Sequence, residues 1–281
     1  MKKRLQEINI GDTINSGQVF LWQKIGQKWY GIDGQNVLII NEKTKKIRKN
    51  STEFNFFRQD DNFEEIYSYM KKDRIVKKAL DVFPGVRLLQ QDPFQCYISF
   101  IVSSNSNIPN IKTRLQNLSR KFGEKRTVDS NEFFVFPKSS SISNAPISQI
   151  LDCGVGYRAK AIKKASIAVT KGKIDFENLK NMNYNDAKQE LVKVFGIGNK
   201  VADCILLFSL NKLEAFPLDR WMLRILQKYY SKKFELTSKT ITDKTYDNIH
   251  EKVVEYFGKY AGYSQQFLFK MERELNNKKW L

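Results

Sequence analysis

Few side chains in this sequence can make or break bonds, and their inventory removes several mechanisms at once. There is one histidine, His250, and there are three cysteines, Cys96, Cys153 and Cys204. These cannot assemble a zinc site from several His or Cys ligands, and a four-cysteine iron–sulfur cluster is excluded. A Ser-His-Asp mechanism would have to use His250, which no neighbouring motif supports. The cysteines are scattered through apolar stretches and read as small packed hydrophobes of a reducing cytoplasm, not as disulfide partners. Chemistry is left to Lys, Asp, Glu, Tyr or a bound ion.

Two of these stand out by position. In Leu191-Val192-Lys193-Val194-Phe195-Gly196-Ile197-Gly198-Asn199-Lys200, one helix is expected to end at Phe195. Gly196-Ile197-Gly198 then makes a turn too tight for residues with a Cβ at both ends. A second helix follows at once, with Val201, Cys204, Ile205 and Phe208 at helical spacing. Backbone N–H groups at such a helix start point outward with partial positive charge and suit a phosphate, while a plain helix–helix corner is the alternative. Lys200 falls in the first turn, where the dipole disfavours a cation and favours a free amine able to act as a nucleophile. The alternative is one more basic side chain on a phosphate. Asp219 precedes Arg220-Trp221-Met222-Leu223 and is the natural N-cap of a further helix. A carboxylate facing the mouth of the hairpin could also stabilise positive charge developing on a sugar ring.

The elements that must hold these residues come from a chain of 281 residues, enough for two domains. Hydrophobic residues at 41% and aromatics at 13% exclude a disordered chain. With 48 Lys+Arg against 30 Asp+Glu, the net charge of +18 asks for a polyanionic partner, either nucleic acid or an anionic membrane surface. The start, MKKRLQEINIGDTI, has a basic head without the apolar core of a signal peptide, and no apolar run is long enough to span a membrane. The expectation is an intracellular protein, cytoplasmic or at the nucleoid in a prokaryote and nuclear in a eukaryote.

Residues 17–24, 28–33 and 36–41 read as strands of an antiparallel meander, with a further turn at 41–44 and a short strand at 46–48. After Asp60 the period becomes helical. Asp92-Pro93 offers an N-cap and a first-turn proline, opening an apolar helix through Phe94, Ile98, Ile101 and Val102. Helices are expected near 107–122, 146–152, 158–171, 185–194, 199–210, 220–230, 245–257 and 262–277, with Ser139-Ser140-Ser141 in a loop. The predicted class is α+β: an N-terminal antiparallel sheet domain with flanking helices over 1–88, then an all-helical domain over 89–281.

Phe195-Gly196-Ile197-Gly198-Asn199-Lys200-Val201-Ala202-Asp203-Cys204 followed by Pro217-Leu218-Asp219 resembles the helix–hairpin–helix DNA glycosylases. Within them the chain is most similar to the eukaryotic-type 8-oxoguanine DNA glycosylase/AP lyases. Asn15-Ser16-Gly17-Gln18-Val19-Phe20-Leu21-Trp22, Gln91-Asp92-Pro93-Phe94 through Asn107, Gly154-Val155-Gly156-Tyr157-Arg158-Ala159 and Tyr260 through Phe269 resemble further family segments in the family's order. The resemblance implies a bifunctional enzyme of base excision repair that flips 8-oxoguanine out of duplex DNA and excises it, needing no metal or cofactor. Lys200 would attack C1′ and Asp219 would stabilise the oxocarbenium-like transition state. The Gly17 carbonyl, Cys204, Gln265 and Phe269 would hold the base. Asn105, Tyr157, Arg158, Gly196, Gly198 and Trp221 would contact DNA. The implied partner is duplex DNA with 8-oxoguanine opposite cytosine, bound by a monomer. Apart from the resemblance, Phe269 and Cys204 read first as helix core. The basic run Arg158, Lys160, Lys163 and Lys164, with no acid between 157 and 174, reads as a phosphate-facing surface.

Two positions depart from the family pattern. Trp221 stands where the family has a histidine near the phosphate beside the lesion, and Asn110 stands where it has an arginine that helps read the opposite cytosine. A bidentate arginine–base contact is worth ~1–3 kcal/mol, so discrimination against other opposite bases is weakened. The alternatives are a glycosylase for another damaged purine and a non-catalytic helix–hairpin–helix DNA clamp. The clamp has no use for Lys200, Asp219 and Gln265 together. A membrane-surface protein ranks last, because the basic residues spread over many helices.

Overall fold

The structure, a computed structural model, describes residues 8–44, 47–48, 55–234 and 242–275. The first seven residues, position 46 of the expected short strand and positions 276–277 of the expected last helix lie outside the described residues. A short helix α1 (Ile10–Ile14), capped by Asn9, comes first. It leads into a four-stranded antiparallel meander of β1 (Trp22–Ile25), β2 (Lys28–Asp33), β3 (Asn36–Asn41) and β4 (Ile47–Arg48), in the order β1-β2-β3-β4. The register runs from Trp22↔Gly31 to Ile25↔Lys28 and from Lys28↔Asn41 to Asp33↔Asn36.

Both faces of β2 and β3 are buried. Tyr30, Ile32, Val37 and Ile39 point into the large core shared with the helices. Trp22, Trp29, Leu38 and Ile40 point the other way, onto Ile10, Ile14, Val19, Phe56 and Phe57. Alternate residues of a strand face opposite sides, so this two-sided burial explains why β2 and β3 are apolar nearly throughout.

Helices α2 (Phe63–Met70) and α3 (Arg74–Val82) follow the sheet, and α4 (Pro93–Ser103) opens the helical body with Asp92 accepting from the Gln95 N–H at 2.8 Å. Next come α5 (Ile108–Phe122), a hairpin of β5 (Lys125–Val128) and β6 (Asn131–Phe134), and the short helices α6 (Ser139–Asn144) and α7 (Ile147–Ile150). After a π-turn and a 3₁₀ turn over 151–158, the chain continues through α8 (Ala159–Thr170), α9 (Phe176–Asn181), α10 (Tyr184–Val192) and α11 (Asn199–Ser209). It ends with α12 (Arg220–Tyr230), α13 (Asp243–Phe257) and α14 (Ala261–Leu275). Helix α4 packs on α11, and α14 packs on both α3 and α12.

Several expectations change. Residues 17–21 are not strand: Gly17 takes φ +91° in the turn after α1, and β1 begins only at Trp22. The serine run at 139–141 begins a helix instead of a loop, because Ile142 is buried in the core and draws that turn inward. The helix expected over 146–152 is α7 continued by a π-helical turn over Leu151–Val155, within which Gly154, followed by Gly156, takes positive φ. The helix before the hairpin ends at Val192, short of Phe195.

Candidate active site

The helix–hairpin–helix is α10, the turn at 193–198 and α11. Gly196 has φ +89°, and a Cβ there would lie 2.4 Å from the Ala161 Cβ, so conformation and contact with α8 both require glycine. Gly198 differs from the expectation: its φ is −94° and an added Cβ would meet nothing. Only one end of the turn needs glycine, and the other faces open space. No side chain caps α11, so its first N–H groups are turned toward that space.

Lys200 projects from the first turn of α11 into a cleft of ≈ 150 Å³ also lined by Gly17, Phe100, Ser103, Cys204, Asp219, Trp221, Gln265, Phe269 and Arg273. Its Nζ sits 3.5 Å from the Ser103 Oγ and 5.3 Å from the centre of the Phe100 ring. Asp219 caps α12 through one oxygen: Oδ1 accepts from the Trp221 N–H at 2.9 Å and the Met222 N–H at 2.8 Å. Capping fixes the carboxylate's orientation without using Oδ2, so the structural and chemical roles coexist in one side chain.

The two candidate groups come from different helices, and a buried network sets their relative placement. Asp203, one turn after Lys200, is 0% exposed. It accepts from the Tyr184 hydroxyl of α10 at 2.5 Å and from the Tyr246 hydroxyl of α13, with the His250 Nε2 at 3.5 Å. Tyr246 and His250 in turn accept from the backbone: the Leu218 N–H reaches the Tyr246 hydroxyl at 3.1 Å, and the Phe216 N–H reaches the His250 Nε2 at 3.3 Å. The segment carrying Asp219 is thereby tied to the helix carrying Lys200. His250 works here as an acceptor, and burial holds its imidazole below the ordinary pKa despite Asp203 beside it.

The floor of the cleft is held as firmly. The Gln266 amide donates to the Ser16 carbonyl at 3.0 Å and the Gln91 amide to the Gln18 carbonyl at 3.0 Å, pinning the backbone on both sides of Gly17. A Cβ at Gly17 would come within 3.1 Å of the Phe269 ring. Gln265 is 5% exposed and its Oε1 is buried with no hydrogen-bond partner among the described residues, a costly state for a native amide unless a ligand satisfies it. Cys204 is buried, and its thiol is pushed up to about 12, by desolvation first and then by Asp219 and Asp203, against the pull of Lys200. It therefore presents a neutral thiol. Trp221 meets Phe269 edge-to-face with ring centres 6.4 Å apart.

The rim presents Tyr157, 69% exposed, beside Asn105, which is exposed and held at φ +48°. Arg158 is only 5% exposed, and its guanidinium donates to the carbonyls of Ser104, Asn105 and Val155. In this state it braces the loop bearing Asn105 and Tyr157. The basic face expected on α8 is smaller than four residues, since Lys163 donates to the carbonyls of Ser143 and Ala145 and so caps α6. Lys160 and Lys164 remain outward, over the exposed Phe195 ring at 5.3 and 4.5 Å. Asn110 lies exposed in the first turn of α5. Sequence reasoning passed over Ser103, Gln266 and Arg273, and also Arg114, which bridges the Ser106 hydroxyl and the Gly154 carbonyl. Ser103 and Gln266 adjoin residues already singled out, but no local pattern marks Arg273 or Arg114.

A helix–hairpin–helix beside a cleft lined by both a lysine and a carboxylate is the arrangement expected of a base-excision enzyme of the helix–hairpin–helix class. Comparison with known families agrees. Residues 98–252 match the family described as HhH-GPD superfamily base excision DNA repair protein, and the chain belongs to that superfamily. Residues 1–97 match the 8-oxoguanine DNA glycosylase, N-terminal domain. The chain is 28% identical over 282 residues to the N-glycosylase/DNA lyase OGG1 of Arabidopsis thaliana, covering 94% of this chain and 77% of the relative. Among solved structures, MBOgg1 in complex with a low-affinity DNA ligand superposes with TM-score 0.86 at 28% identity, covering 96% of this chain and 93% of the other. The Clostridium acetobutylicum 8-oxoguanine glycosylase/lyase, in complex with dsDNA containing cytosine opposite 8-oxoG, superposes with TM-score 0.84 at 30% identity and the same coverage.

Proposed function

We propose that this chain is an 8-oxoguanine DNA glycosylase and AP lyase acting on duplex DNA with the lesion opposite cytosine. The observation that carries the reading is the convergence, in one cleft, of an amine, a carboxylate and an unsatisfied buried amide: Lys200, Asp219 and Gln265. A base cannot be attacked at its sugar inside a duplex, so the nucleotide is extruded, at a cost of about a few kcal/mol. Phe269 stacks on the extruded base, Cys204 covers its other face, and Gln265 meets its pairing edge. The carbonyl of Gly17 accepts the N7 hydrogen that 8-oxoguanine has and guanine lacks.

Lys200 attacks C1′ as the bond from C1′ to the base breaks and the base leaves with the bonding pair. Asp219 stabilises the positive charge on the sugar, an interaction realised mainly in the transition state. The lysine–sugar adduct opens to a Schiff base. Loss of a C2′ proton then expels the 3′ phosphate by β-elimination and cuts the strand.

Outside the cleft, Tyr157 and Asn105 enter the duplex from the loop braced by Arg158, and the uncapped start of α11 at Gly198 takes a phosphate. Trp221 offers an indole N–H or an apolar face where the family has histidine. The net charge of +18 supplies salt-sensitive affinity that carries no sequence information. No helix among the described residues is long and apolar enough to cross a membrane.

The test is borohydride trapping on an 8-oxoguanine:cytosine duplex. Wild type is expected to become covalently attached and Lys200→Gln to remain free. Equal trapping of both removes Lys200 as the nucleophile. No product from any lesion duplex leaves a DNA clamp as the function.

A further inference from the structure

Arg273 lies four residues after Phe269 on α14, on the same face of the helix, and lines the cleft. Its Nε and Nη1 are buried and have no hydrogen-bond partner among the described residues. The acids around it are engaged elsewhere: Glu272 with Lys228 and Tyr229, and Glu274 with Lys270 at 3.0 Å. Across the cleft wall its nearest charged influence on α5 is another cation, Lys112, whose ammonium is disfavoured by burial and then by Arg273 itself. Burial disfavours both cations, and Glu274 acts on Arg273 through space while paired with Lys270, yet the buried guanidinium N–H groups lack acceptors among the described residues, which such groups seldom do.

Position identifies the missing acceptor. The Arg273 Nη1 would lie 3.3 Å from a Cβ built on Gly17, so the guanidinium stands beside the glycine whose carbonyl is assigned to N7. On the ring of 8-oxoguanine, N7 is flanked by the C8 carbonyl on one side and the C6 carbonyl on the other. A donor next to Gly17 therefore meets a carbonyl oxygen. A phosphodiester would stay at the solvent-facing rim, whereas the Nε and Nη1 are closed off from solvent by the cleft itself.

We propose that Arg273 is a specificity-determining residue of this cleft, donating to a carbonyl oxygen that flanks N7 of the extruded 8-oxoguanine. The inference rests on the 8-oxoguanine reading above. It adds a donor to a pocket whose assigned polar contacts are the Gly17 carbonyl and the Gln265 amide, and the C8 carbonyl is the atom that guanine does not have.

The experiment compares wild type, Arg273→Leu and Arg273→Lys in the full chain on one duplex carrying either 8-oxoguanine or a preformed abasic site. Single-turnover base release is expected to slow roughly 10- to 100-fold in Arg273→Leu, the loss of one charge-assisted bond, and to recover in part in Arg273→Lys. Nicking at the abasic site, which offers no base to contact, is expected to stay within about twofold of wild type. The thermal midpoint of Arg273→Leu should hold or rise, because burial disfavours the guanidinium and its Nε and Nη1 make no hydrogen bond among the described residues. Base release equal to wild type overturns the inference, as does a parallel fall in release and nicking, which would mark a phosphate or structural role. If wild type nicks abasic DNA but releases no 8-oxoguanine, the reading of the pocket fails first and takes this inference with it.

Discussion

Replacing Asp203 by asparagine tests whether the buried network positions the two candidate groups, Lys200 and Asp219. Asp203 is 0% exposed and receives the hydroxyls of Tyr184, at 2.5 Å, and Tyr246. Lys188 is 3.8 Å away, 10% exposed at the side chain. A hydrogen bond to a charged acceptor contributes about 1.5–3 kcal/mol and a neutral one about 0.5–1.5. Two such exchanges, with Lys188 left only its exposed partner Asp247 at 3.3 Å, give a loss of about 3–5 kcal/mol. That is a large share of a total stability of about 5–15 kcal/mol. Urea unfolding of Asp203→Asn should show a lower midpoint at unchanged slope, and the melting temperature should fall by about 6–20 °C.

Tyr246→Phe removes one hydroxyl that both donates to Asp203 and accepts from the Leu218 N–H, and it should lose about 1–3 kcal/mol. The double variant should fall short of additivity. Base release should slow in each variant more than DNA affinity weakens, since the displaced element is the 216–218 segment before Asp219. An Asp203→Asn protein within about 1 kcal/mol of wild type refutes the argument. So does additivity within about 0.5 kcal/mol, because groups that act as a unit are not additive.

Other substitutions separate roles that share a side chain. Asp219→Asn keeps the cap on α12 and should melt near wild type while excising far more slowly, whereas Asp219→Ala should lose a further ~1 kcal/mol of stability, read by denaturant unfolding. Gly17→Ala places a Cβ 3.1 Å from the Phe269 ring at a backbone φ of +91°, so base release should fall while abasic nicking is retained; unimpaired release would show that the floor of the cleft adapts. His250 is buried with its pKa below the ordinary 6.5, so the unfolded chain takes up a proton that the folded one excludes. Its contribution is complete above about pH 6.5 and is lost on acidification toward the folded-state pKa, with a slope of up to about 1.4 kcal/mol per pH unit. Unfolding free energies at pH 7.5, 6.5 and 5.5 should show this decline, and His250→Gln should flatten it.

What the sequence determined by itself was local. Asp92-Pro93 opens α4 and Asp219 opens α12, because caps and first-turn prolines act within three residues of themselves. The glycine turn and Lys200 could be placed on a helix start for the same reason, and the meander was legible from its apolar runs and turn glycines. The β5–β6 hairpin was not, since its turn uses Asp129 and Ser130 at positive φ without the glycine that usually marks such a turn. The serine run at 139–141 became helical through the burial of Ile142, a tertiary effect.

The site divides along the same line. Lys200 and Asp219 announced themselves at helix starts. Ser103 beside Lys200, the Asp203 network, the clamps on either side of Gly17 and the burial of the Arg273 Nε and Nη1 without an acceptor among the described residues depend on which helices face one another. A single chain's local pattern does not encode that facing. Burial and hydrogen-bond satisfaction are properties of the packed whole, and only the tertiary structure decided which buried polar groups found partners among the described residues.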